Sequence, residues 1–128
     1  MEKKQSKRQA KYRENPAFEF ESFAILGRQI GEDDARRLLT HFADEARYRL
    51  DDLRLSLVKR DKVTLGQTAQ ALNGLSAILG LALLASISKE LERIADGDNF
   101  DRIDMLIQAA GAAFEGANPF IEEVLAAA

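Results

Sequence analysis

The one imidazole in the chain, His41, sets the limit on its acid–base and metal chemistry. A ferritin-like di-metal site needs inward carboxylates and two Glu-x-x-His steps, and the residue three before His41 is Leu38. A Ser-His-Asp triad would have to use His41 with Glu45 one turn later as its orienter, and no Gly-x-Ser-x-Gly elbow accompanies them. His41 therefore reads as a half-exposed helix residue beside Glu45. Phosphate-cradling Gly-x-x-x-x-Gly-Lys-Ser/Thr loops are missing, and there are no cysteines for thiolate chemistry or sulfur ligation. The paired acids Asp33/Asp34, Asp51/Asp52 and Glu122/Glu123 are sequence neighbours, which diverge by about 100° on a helix and cannot grip one atom together. No enzyme constellation, metal or cofactor is implied.

A more informative pattern lies in "TAQALNGLSAILG", Thr68 to Gly80. Gln70, Asn73, Gly74 and Ala77 stand at i, i+3, i+4 and i+7, with Gln67 one turn earlier, so on a helix they form one stripe opposite the leucines. The stripe is polar in its middle and bare at Gly74. Glycine inside a helix costs about 1 kcal/mol against alanine, which calls for a reason. One reason is close approach of another molecule; the other is close packing of a neighbouring helix of the same chain. Spacing alone leaves both open.

The elements that must position this stripe are all helical. Alternating Val/Ile/Thr runs are absent, and the Asn73-Gly74 pair sits within helical periodicity, not between strands. Residues 18–31 predict a short apolar helix stopped by Gly31. Residues 32–61 open with three acids, suited to a helix N-terminus, and place Leu39, Phe42, Ala46, Leu50, Leu53 and Leu57 on one face. A third helix is expected over Lys62–Leu79, with Leu65, Ala69, Leu72, Leu75, Ser76 and Leu79 inward, and a bend or stop at Gly80. In its first half, Thr64, Gln67, Thr68, Gln70 and Asn73 make a polar stripe. A fourth, 81–96, buries Leu83, Leu84, Ile87, Leu91 and Ile94, and "DGDN" is a turn with Asp98 as cap. A fifth starts near Phe100 and buries Ile103, Leu106, Ile107, Ala110 and Phe114. Asn118-Pro119 looks like a fresh cap with proline at the first helical position, which predicts a separate or kinked segment over 119–126. Short loops between long amphipathic helices give an all-α, up-and-down antiparallel four-helix bundle with a short extra N-terminal helix across one end.

With 128 residues, 46% of them hydrophobic, the chain suits one domain with a real core. Its net charge of −3 is unevenly spread: residues 1–15 hold six basic residues and two acidic ones, so the remainder is strongly acidic. Residues 1–16 read as a flexible basic arm ending at Asn15-Pro16, and 17–128 as the bundle domain. The arm could touch phosphates, but the acidic body offers no basic face, so nucleic acid is not the expected partner. No apolar run follows the N-terminal charges as a signal peptide would require, and the lack of cysteine fits a reducing cytoplasm. Val63 to Ser88 is uncharged and long enough to cross a bilayer, but its polar stripe and Gly80 argue against a membrane span.

The stretch Ala69-Gln70-Ala71-Leu72-Asn73-Gly74-Leu75-Ser76-Ala77-Ile78-Leu79-Gly80, followed by Leu83-Leu84 and Leu91-Glu92, resembles the histidine phosphotransfer (HPt) domains of bacterial multistep phosphorelays. These share roughly Ala-His-x-Leu-Lys-Gly-Ser-(Ser/Ala)-x-x-Leu-Gly and then a leucine-rich helix ending in Leu-Glu. The likeness spans about Phe18 to Leu125. It implies that the residue at position 70 projects into solvent, that Gly74 leaves room for a visiting active site, and that the partner is a receiver domain of a response regulator or a hybrid histidine kinase. The departure is central: Gln70 stands where the family has its phospho-accepting histidine, and Asn73 where it has a lysine. An amide nitrogen with its lone pair delocalised into the carbonyl is a very poor nucleophile. The resemblance therefore implies a degenerate HPt protein that keeps the docking residues Gln67, Gln70, Asn73, Gly74 and Ala77 without carrying phosphate. The competing readings are a competent phosphotransfer protein in which a histidine was exchanged for Gln70, disfavoured by the second departure at Asn73, and a helical scaffold unrelated to phosphorelay, in which the glycines serve packing.

Overall fold

The computed structural model describes residues 17–127, so the expected basic arm over 1–16 lies outside the described residues. Five helices follow in order: α1 (Phe20–Ile30), α2 (Glu32–Lys59), α3 (Lys62–Leu79), α4 (Ala82–Ile94) and α5 (Phe100–Ala126). Helix α2 packs on α3, α3 on α4, α4 on α5 and α5 on α2, which closes an antiparallel four-helix ring. Helix α1 lies against α2 and α3 as the extra element.

The ring closes around an apolar interior in which each helix contributes residues at three- and four-residue steps. Leu39, Phe42, Ala46 and Leu53 of α2, Ala69, Leu72 and Leu79 of α3, Leu84 and Leu91 of α4, and Ile103, Ile107 and Phe114 of α5 are almost wholly buried. Each large side chain so buried contributes about 1.5–3 kcal/mol, enough to override local conflicts in helix propensity. Pro119 shows this directly. Its missing N–H predicts a break, yet α5 runs through it as one helix because Ala117, Ile121 and Val124 on either side stay buried. Asn118 does not cap a new helix; its amide donates forward to Glu122 at 3.3 Å.

Helix α3 is bounded at both ends by side-chain and backbone devices. Asp61 accepts the Thr64 backbone N–H at 3.1 Å and the Thr64 hydroxyl at 2.6 Å, which satisfies an orphan donor of the first turn and holds its carboxyl below the usual range. At the other end Gly80 adopts φ +92°, the Leu81 N–H donates to the Ser76 carbonyl at 2.8 Å and the Gly80 N–H to the Ala77 carbonyl. That is a Schellman stop, which settles the expected bend-or-stop as a stop. The non-helical Ala17–Glu19 segment, expected in part to be helical, sits on this corner instead: Phe18 is fully buried and the Glu19 N–H donates to the Gly80 carbonyl at 2.6 Å.

Two turns at the opposite end are tied together. Lys62 donates to Asp98 at 2.8 Å and to the Asp96 carbonyl at 3.1 Å, and the Arg60 guanidinium lies 4.0 Å from the centre of the Phe100 ring. The cap of α5 is Asn99, whose side chain accepts the Arg102 N–H at 3.2 Å; Asp98, the expected cap, is occupied by Lys62. On the outer side of α4 and α5, Glu90 receives Arg93 through two bonds and Arg102 at 3.5 Å. The Arg93 hydrogen bonds, then the arginine charges, bring its carboxyl from the ordinary 4.5 down to about 2.

Candidate partner-docking site

Helix α3 turns one face inward and leaves the other in solvent. Leu65, Ala69, Leu72, Ser76 and Leu79 point into the bundle as expected, and Leu75 is half-buried. Gln67, Gln70, Gly74 and Ala77 are exposed and Asn73 is half-buried, so one face holds all five residues of the sequence-derived stripe. Thr68 leaves the expected polar stripe: at 8% exposure it belongs to the inner face, where its position lies a turn from Leu65 and Leu72. Among the described residues, the side-chain amides of Gln67, Gln70 and Asn73 make no hydrogen bond, so they are free to engage an incoming molecule.

The two explanations left open for Gly74 separate here. A Cβ built on Gly74 meets nothing within 4 Å, so no neighbouring helix of the chain uses the missing side chain. Gly66, two turns earlier, behaves differently: its Cβ would touch the Ala95 Cβ at 3.6 Å, where α4 packs on α3. The open space at Gly74 gives a partner access to the backbone and to the residue one turn before it, Gln70. Exposed apolar side chains continue the face at both ends, Val63 near its start and Ile78 near its end. Leu83 was expected inside; on α4 the core positions are taken by Leu84, Ala85, Ser88 and Leu91 instead.

His41 stands on α2 with its side chain 72% exposed and its Nε2 3.1 Å from Glu45, as a surface ion-pair partner. No group of three or more His, Cys, Asp or Glu able to hold a metal occurs among the described residues, and no helix is long and apolar enough to cross a membrane. One residue beside the stripe was missed in the sequence. Lys89 on α4 is exposed, makes no ion pair with any described residue, and ends the uncharged run from Val63 to Ser88. That run, read for where its neutrality stops and not for membrane length, carried the signal.

Comparison with known proteins agrees with the helical-bundle fold. Residues 37–113 match the Hpt domain family, a span that includes all of α3 and α4. The crystal structure of histidine-containing phosphotransfer protein B (HptB) from Pseudomonas aeruginosa PAO1 is similar over 86% of this chain and 95% of that one, with a TM-score of 0.79 and 28% identity. No curated protein sequence matches significantly. Hpt proteins are phosphotransfer intermediates of phosphorelay signalling, not enzymes in the ordinary sense, and they interact with receiver domains and kinases. With its family match covering more than half the chain and the same helical bundle as HptB, this protein belongs to the Hpt domain family.

Proposed function

We propose that the protein is a degenerate HPt module: it docks the receiver domain of a response regulator or hybrid histidine kinase on the outer face of α3, and it carries no phosphoryl group there. The observation that carries this reading is an exposed glutamine, Gln70, one turn before a glycine whose side-chain space is empty. The clearance suits a visiting active site, while the group presented to it is an amide. Transfer from a phospho-aspartate requires a nucleophile whose lone pair can attack phosphorus; imidazole has one, and the amide nitrogen does not. Asn73 removes a cation from the same surface, so the site is poor both in nucleophilicity and in charge to balance a phosphate.

Docking without transfer makes the protein a binding or regulatory element, which occupies receiver domains in competition with partners that can carry phosphate. Apolar contacts at Val63 and Ile78, with hydrogen bonds from Gln67, Gln70 and Asn73, would hold the receiver. No cofactor takes part, and the setting is the cytoplasm, where receivers and the catalytic parts of kinases reside.

The reading is tested by titrating fluorescently labelled receiver domains from the same genome with the wild-type protein and with Gly74→Arg. At least one receiver is expected to bind the wild type, and the arginine, projecting from the open position, to abolish binding while the helical circular dichroism is unchanged. Undiminished binding by Gly74→Arg would remove α3 as the docking face.

A further inference from the structure

We propose that Lys89 is the cation with which this face selects its partner, pairing with the anionic, aspartate-bearing pocket of the docked receiver; the inference rests on the docking reading above. The contact between Gly66 and Ala95 fixes the antiparallel register of α3 and α4. Counting from that pair, Gln70 lies level with Leu91 and Gly74 with Ile87, so Lys89 stands at the height between them. Gln70, Asn73 and Ala77 follow Gly66 at i+4, i+7 and i+11 and therefore lie on the edge of α3 that adjoins α4. On α4, the core side is defined by Leu84, Ser88, Leu91 and Ala95, and the edge toward α5 by Glu90, which reaches Arg102. Lys89 is a helical step of about 100° from Glu90, on the other edge, toward α3. Lysine and amide stripe thus lie on adjoining edges of α3 and α4.

Charge makes this position selective. From Val63 to Ser88 neither helix contributes a charged side chain, and Lys89 has no described carboxylate within ion-pair distance. Its charged neighbours one turn further on are Glu92, which is half-buried, and Arg93, whose guanidinium is held by Glu90, whereas Lys89 is exposed and unpaired. A receiver pocket built around an acceptor aspartate presents negative charge where it docks. Bringing that charge to a surface of neutral amides costs desolvation, and a free ammonium at the rim offsets it and steers the approach. Lys89 takes over the electrostatic part that Asn73 cannot play.

The test measures Kd for a receiver that binds the wild type, at two ionic strengths, against Lys89→Glu, Lys89→Arg and Glu92→Gln, with Arg37→Glu as a control of equal net charge at the far end of α2. Lys89→Glu is expected to weaken binding at least about tenfold and to abolish its salt dependence, Lys89→Arg to stay within about twofold, and Glu92→Gln to tighten binding. Since Lys89 is exposed and unpaired, the reversal does not touch the fold. Wild-type binding with Lys89→Glu within twofold of it would overturn the assignment of Lys89 alone. Failure of the wild type to bind any receiver would overturn the docking reading and this inference together.

Discussion

Gly74 and Gly80 stand six residues apart, one inside α3 and one at its C-terminal cap, and differ in what their missing side chains leave room for. At Gly80 the backbone itself demands glycine: φ is +92°, and any Cβ would run into the Glu19 carbonyl oxygen of the segment that crosses the corner. At Gly74 the backbone is ordinary helix and the space outside is empty. The first glycine is explained wholly within the molecule, by the turn and the chain lying on it. The second is not, since nothing in the described molecule uses the space it leaves. Glycines that look alike in sequence thus divide into one that shapes the fold and one that shapes a surface.

Substitutions that follow this division should behave in opposite ways. The largest effect is expected for Gly80→Val, which combines a strained left-handed backbone with a clash against the Glu19 backbone; a loss of about 3 kcal/mol or more should appear as a lower urea midpoint. Asn99→Ala removes the cap of α5 and should cost about 1 kcal/mol, while Asp98→Ala, the residue the sequence favoured as cap, should cost less. Gly74→Ala should do the reverse of Gly80→Val, adding about 0.5–1 kcal/mol by restoring helix propensity where nothing is in the way. A stability loss at Gly74→Ala would mean that the face is packed after all. The smallest effect concerns pH. Glu90 has its pKa lowered from 4.5 to about 2, so its contribution is present above pH 4.5 and fades as pH falls toward 2. Melting curves across that window should show less acid loss in Glu90→Gln than in the wild type.

How much of this was legible beforehand follows the range of the interactions. The bounds of α3 could be read because its signals are local: Asp61 caps it, and Gly80 stops it with bonds to Ser76 and Ala77. The exposed stripe was equally legible, since spacing alone puts Gln70 and Gly74 opposite the leucines. What spacing could not settle was whether Gly74 faced solvent or a neighbouring helix, because that depends on where α4 packs. The misreadings share this cause. Pro119 carries a real local stop signal, but with Ile121 and Val124 buried beyond it the separate segment among the expected outcomes does not form. Asp98 is a good cap by type, but Lys62, 36 residues away in sequence, claims it. Thr68 and Leu83 exchanged expected surroundings because small shifts in helix orientation decide the border of a core. Ala17–Glu19 was hardest to foresee, held by the distant corner at Gly80 and not by any signal of its own.

The central claim is that an Hpt fold here presents an amide where a phosphoryl acceptor belongs. It is tested most directly by incubating the wild-type protein with receiver domains carrying radiolabelled phosphoryl groups, beside the double variant Gln70→His, Asn73→Lys. The account predicts no label on the wild type and transfer to the double variant. Label moving onto the wild-type protein, at His41 or anywhere else, would contradict it.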